Sequence, residues 1–158
     1  MSLTAVRAAL ETKLNNMANP ISYAWENAPF TPVVGVPYAA IYLLPATPDN
    51  PTMGDGYYRE QGIFQVSLFY PLSTGAGAAA ARAELIRTTF KRGTSAIIAG
   101  TGISSWDNGI SWDTGISWDT GGQITIIISR TPEIGQGRVD GDRWHLPIKI
   151  VWMAGIYA

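Results

Sequence analysis

Apolar residues recur at every third or fourth position at the start of the chain. Leu3, Val6, Leu10, Leu14 and Met17 fall on one stripe, with Arg7, Glu11 and Lys13 off it. That is the helical period, and it predicts an amphipathic helix. Ser2 or Thr4 is placed to cap its start, and Asn19-Pro20 ends it. A second stripe of Ala79, Ala83, Ile86 and Phe90 predicts another helix, entered from Ser73 or Thr74 as N-cap and closing near Lys91-Arg92-Gly93. Gly93 suits a C-cap, the two cations suit the negative end of the helix dipole, and the run Ala78 to Ala81 permits close packing.

Between and after these stripes the period drops to two, which is the signature of strands. Ile21 to Trp25 reads as a short strand and Tyr38 to Leu44 as a buried one, stopped by Pro45, Pro48 and Pro51. Pro45 to Gly56 is turn-rich. From Tyr57 to Tyr70, Phe64, Val66, Leu68 and Tyr70 share a face and Gln65 and Ser67 take the other. Ile124, Ile126 and Ile128 define a further strand, and Trp144, Leu146, Ile148, Ile150 and Trp152 define the last. Pro147 lies on its opposite face and argues for an edge or a bulge, since proline donates no ladder hydrogen bond. The expected fold is α+β: one mostly antiparallel sheet of about four main strands, two helices on one face, in the order α-β-β-α-β-β. A single domain spans residues 1–158.

Two stretches escape both periods. Trp25-Glu26-Asn27-Ala28-Pro29-Phe30-Thr31-Pro32 can be neither helix interior nor central strand, because its prolines hold the backbone extended or turning. A rigid loop with aromatic anchors suits contact with another protein, with Phe30 as a contact residue; Trp25 is expected to pack against the domain. The second stretch is a tandem repeat. Gly102-Ile-Ser-Ser-Trp-Asp is followed by Gly109-Ile-Ser-Trp-Asp-Thr and Gly115-Ile-Ser-Trp-Asp-Thr, the last two with a period of six. In a strand, Ile and Trp of these copies fall on one face and Ser and Asp on the other, whereas the Asp-Asn-Gly and Asp-Thr-Gly triplets also form turns. Residues 102–121 are thus an insertion that forms a projecting β-arm or a series of tight turns. Trp106, Ile110, Trp112, Ile116 and Trp118 are its candidate contact residues.

Composition narrows the function. Charged residues are only 15% of the chain against 46% hydrophobic, where soluble domains carry about 25% charged. With six Trp and seven Tyr, this suggests apolar surface covered by a partner. A net charge of −1 with scattered cations gives no electrostatic source for phosphate binding. There is no cysteine and one histidine, His145, read as a strand-surface residue. The two Asp-Thr-Gly triplets resemble those of aspartic proteases, but such enzymes bring two triplets face to face from separate lobes, and here they lie six residues apart. No EF-hand spacing and no P-loop follow from the Asp series or from Gly75-Ala76-Gly77. Asp140, Asp142 and Glu133 read as solvated. No signal-peptide core and no apolar run long enough to span a bilayer are evident. The expectation is a non-enzymatic protein without metal or cofactor.

A succession of phrases resembles a family of phage tail terminator-like proteins of long-tailed bacteriophages: Trp25 to Phe30, Gly35-Val36-Pro37-Tyr38, Leu43-Leu44-Pro45-Ala46, and Gly62-Ile63-Phe64-Gln65-Val66 to Tyr70-Pro71. It continues through Arg82-Ala83-Glu84-Leu85-Ile86, Phe90-Lys91-Arg92-Gly93, and Trp144 to Trp152. The Trp-Asp repeat departs from that pattern. The resemblance implies a virion protein, assembled in the host cytoplasm, that forms a ring of six copies at the head-proximal end of the tail tube. There it stops tube growth and presents the surface that joins the head. Its implied partners are further copies of itself, the tail tube protein and a neck or head-completion protein. DNA would pass through the ring without specific binding, and no membrane is involved. A different class is a small carbohydrate- or receptor-binding tail module, in which Trp106, Trp112 and Trp118 would stack on a ligand.

Overall fold

The structure, a computed structural model, describes residues 3–51, 53, 57–98 and 124–157. Helix α1 is Leu3–Asn15; strands β1 Ser22–Ala24, β2 Tyr38–Pro45 and β3 Tyr57–Pro71 precede helix α2, Gly77–Thr89. Strands β4 Ser95–Ile98, β5 Ile124–Ile128, β6 Glu133–Ile134, β7 Arg138–Asp140 and β8 Arg143–Tyr157 follow. The class is α+β, as expected, but the sheet has eight strands among the described residues rather than about four. They run in the order β1-β2-β3-β8-β5-β4, with β6 and β7 also pairing with β8. All pairings are antiparallel except β1 with β2. The additional strands are mostly two to four residues long, too short to display a period.

The spine is the pair β3–β8, in register from Tyr57↔Tyr157 to Pro71↔Arg143. Even-numbered positions on both strands face the helices, and Phe64, Val66, Leu68, Ile148, Ile150 and Trp152 are fully buried there. The helical stripes meet them: Val6, Leu10 and Leu14 from α1 and Ala79, Ala83 and Ile86 from α2 join the same cluster. Arg82 ties the helices together by donating to the carbonyls of Ala18 and Asn19 just beyond α1. Trp25 packs half-buried against this core, 5.2 Å from the Tyr23 ring.

Three local expectations change, one of them at the end of α2: its C-cap is Phe90, and Gly93, expected there, donates to the Ile128 carbonyl of β5 at 2.9 Å. Ser73 and Thr74 do not cap α2: the Thr74 hydroxyl donates to the Pro71 carbonyl at 2.8 Å, and the helix begins at Gly77 behind Ala76, with no side-chain cap. Thr4 lies inside α1 and so caps nothing. Pro147 is in a central strand with the expected bulge beside it: β6 pairs Ile134 with Ile148 and β7 pairs Arg138 with His145, so three residues stand opposite two. The Pro147 carbonyl accepts from Gly135 N at 2.8 Å, so its donorless nitrogen faces the same side, where pairing is interrupted between β6 and β7.

Gly62 shows how tightly the spine is packed. A Cβ there would stand 2.6 Å from the Leu44 carbonyl and 2.9 Å from the Trp152 ring, which covers it. Gly62→Ala is therefore expected to lower stability by about 1–3 kcal/mol, read as a fall in melting temperature of several degrees; an unchanged melting curve would contradict the close packing of Trp152 over this strand.

Candidate functional site

The face of the sheet without helices carries the features of interest. At one end of it, residues directly across from one another form a row: Tyr38 on β2, Phe69 on β3, His145 on β8 and Arg138 on β7. Their rings stack, with centroids 4.9 Å apart for Tyr38–Phe69 and 4.7 Å for Phe69–His145. Phe30 from the proline-rich loop adds to the row, 5.1 Å from Tyr38. Phe30 is thus half-buried and packed within its own chain. Aromatic pairs at these distances add to what their burial contributes.

The loop that supplies Phe30 is fastened at three points. Trp25 is one. Glu26 is the second: it accepts from Arg7 of α1 at 2.7 Å and from Leu43 N of β2 at 3.5 Å. The Arg7 hydrogen bond holds its carboxyl below the usual carboxylate range. The third is Arg143, whose guanidinium donates to the carbonyls of Val36 at 2.6 Å and Val33 at 2.7 Å while lying 5.0 Å from the Tyr38 ring centre. Arg143 is buried, and among the described residues no carboxylate pairs with it within salt-bridge distance. Its planar fork suits two backbone acceptors at once.

What Arg143 holds is a tight turn. Val36 N donates to Val33 O at 3.2 Å, and Gly35 at φ +78° occupies the left-handed position, as a type II turn requires. The turn presents Val33, Val34 and Val36 to solvent, with Val34 88% exposed. Pro32 and Val34 share a surface recess of about 480 Å³ with Tyr38, Phe69, Asp140 and Asp142.

His145 is a correction: it is buried, not on the strand surface. Phe69 covers one side, and Arg138 Nε donates to its Nδ1 at 3.4 Å. Burial and the Arg138 charge both push its pKa below the usual 6.5, with Asp140 acting in the opposite direction. Ser67, on the same face, is buried as well and accepts from Gln65 Nε2 at 3.1 Å. Asp140, Asp142 and Glu133 are exposed, as expected.

Toward the other end the same face is open and apolar. Leu44, Ile63 and Val151 lie across from one another, and Ile127 lies beside Met153. Leu44 and Ile127 are exposed and the other three half-buried. Trp106, Ile110, Trp112, Ile116 and Trp118 lie outside the described residues. The repeat that holds them connects β4 to β5, whose pairing reaches Ile98↔Ile124. Among the described residues no three His, Asp or Glu side chains converge on a metal-sized site, and no helix is long and apolar enough to cross a membrane. Sequence reasoning missed Arg143; an arginine directly after the Asp140-Gly141-Asp142 turn gave no sign of its reach to Val33 and Val36.

The domain has two layers, with one helix-covered face, one partly apolar open face and a rigidly mounted loop. Compared with known proteins, residues 5–152 match the family described as phage tail terminator protein. The chain belongs to that family, and is a structural protein of a phage tail, located in the virion tail. One solved protein structure superposes on all of this chain and on 99% of its own, with a TM-score of 0.69 at 21% identity; that likeness concerns the fold alone. No curated protein matches.

Two measurements test the site. Arg143→Leu should cost about 2–3 kcal/mol, because it leaves two carbonyls without their charged donor, and should speed hydrogen exchange at the Val36 amide; normal protection there would contradict the clamp. The His145 shift has a definite sign. A histidine held neutral in the fold binds fewer protons than in the unfolded chain, so stability falls as pH drops through about 6.5. It stops falling below the folded-state pKa. His145→Phe should flatten this part of the pH–stability curve, and a curve of unchanged slope would show that His145 is not held neutral.

Proposed function

We propose that the chain forms a closed ring, six copies in number, at the head-proximal end of the tail tube, where it ends tube growth and offers the surface that joins the head. The observation that carries this reading is the sheet face without helices. Its apolar residues Leu44, Ile63, Val151, Ile127 and Met153, exposed or half-buried, suit burial against tube, neck or neighbouring copies. A ring requires heterologous interfaces that close, and a domain with two unlike faces can supply them. The net charge of −1 also suits a ring through which DNA slides, since a basic lining would retain phosphates. Partners on this reading are further copies of the chain, the tail tube protein and a neck or head-completion protein. Contacts with them, not catalysis or a cofactor, are its work. The repeat at 102–121 is read as an additional contact element that reaches an adjacent copy or the tube.

Tail length is the direct test. Phage lacking this chain should build tubes of uncontrolled length with no attached heads; tubes of normal length would reject the terminating role. The repeat is tested separately. Replacing residues 102–121 by a short Gly-Ser link should leave melting nearly unchanged, because β4 and β5 pair antiparallel and need only a turn between them. Head joining or ring formation should weaken. Unfolding would mean that the repeat belongs to the core, and full infectivity would mean that it makes no contact of consequence.

A further inference from the structure

We propose that the valine turn Val33–Val36 of one copy seats in a recess of the next copy formed by Leu72, Trp144, Pro71 and Ala76, making the head-to-tail contact of the ring. This rests on the ring reading above and names its contact.

The projecting half is unusual for an exposed loop. Val34 is 88% exposed, Val33 64% and Val36 44%. Yet the backbone beneath them is fixed by Arg143, by the turn hydrogen bond and by the aromatic row. A mobile apolar loop would lose conformational freedom on binding; this one has already lost it, and such preorganisation favours association.

The receiving half is a largely apolar recess of about 300 Å³ between Pro71, Leu72, Ser73, Gly75, Ala76 and Trp144. Leu72 is 40% exposed at its rim. Trp144 points to the helix-bearing side of the sheet, where it packs on the core. Arg143, which holds the turn, lies on the other side, over Tyr38. Both sit at the same end of the spine, where Tyr70 pairs with Trp144 and Pro71 with Arg143. A projection on one side and a recess on the other, at one level, is what a head-to-tail ring needs.

Charge agrees with the pairing. Asp140 and Asp142 flank the valine turn. Beside the recess, α2 starts at Gly77 with no side-chain cap and no acidic residue in its first turn. Its first N–H groups thus lack a side-chain acceptor, and the positive end of its dipole lacks an acidic residue in that turn. Seating the turn brings carboxylates toward that end. A tip-to-tip contact would instead set Asp140 and Asp142 against their own copies.

The absence of cysteine makes the test clean. Tails are assembled from equal amounts of Val34→Cys and Leu72→Cys chains and oxidised. A covalent dimer containing one of each is expected, with none from Val34→Cys alone and none from Val34→Cys mixed with Thr88→Cys. Val34→Asp should reduce ring assembly about tenfold or more without changing the melting temperature. If rings form and no mixed dimer appears, or if Val34→Cys chains link to each other, this contact is wrong and the ring reading stands. If microscopy of wild-type tails finds no ring, the ring reading fails and takes this contact with it.

Discussion

Everything in this domain hangs on the antiparallel pairing of β3 with β8. Each strand is 15 residues long, and the ladder runs unbroken from Tyr57↔Tyr157 to Pro71↔Arg143. Because side chains alternate, this one ladder sorts the chain's residues onto two faces. Even positions build the core under the helices. Odd positions build the other face: Phe69, Ser67 and Ile63 on β3, and Arg143, His145 and Val151 on β8. A slip of one residue would exchange these sets, placing Arg143 and His145 in the core and exposing Trp152. Gly62 under Trp152 and the interruption of pairing beside Pro147 suit this register alone.

The consequence is a division of labour along the open face. One end is closed by the aromatic row and by a loop that Arg143 fastens from more than a hundred residues away in sequence. The other end is apolar, and among the described residues no helix covers it. The closed end gives a rigid projecting turn, the open end a broad surface, and the helix side a separate recess. These unlike surfaces are the material from which a tail protein can meet several partners at once, in keeping with membership of the tail terminator family.

Much of this was legible in the sequence. The two helical stripes and the alternation in β3 and β8 are core-driven periods, and every residue named for them is buried or packed on the core. The succession of phrases from Trp25 to Trp152 pointed to the family that the match over residues 5–152 bears out. What escaped was non-local. Strands β6 and β7, of two and three residues, exist because β8 offers them an edge, not because of their own pattern. His145 alternates with core residues and so looked exposed, but Phe69 and Arg138 cover it from neighbouring strands. The buried state of Arg143 depends on two carbonyls of a distant turn. Phe30, expected as a contact residue, is half-buried and packs on Tyr38; the exposed large apolar residues of its loop are the valines that follow it.

On the proposed reading, copies of this chain close into a ring at the head-proximal end of the tail, with the helix-free face and the valine turn buried in contacts. A reconstruction of that end of the tail by electron microscopy tests it most directly. Six copies of the chain are expected in one closed layer, each burying Val34 and the Leu44–Ile63–Val151 row. A different symmetry, a position elsewhere on the tail, or a helix-free face left open to solvent would contradict it.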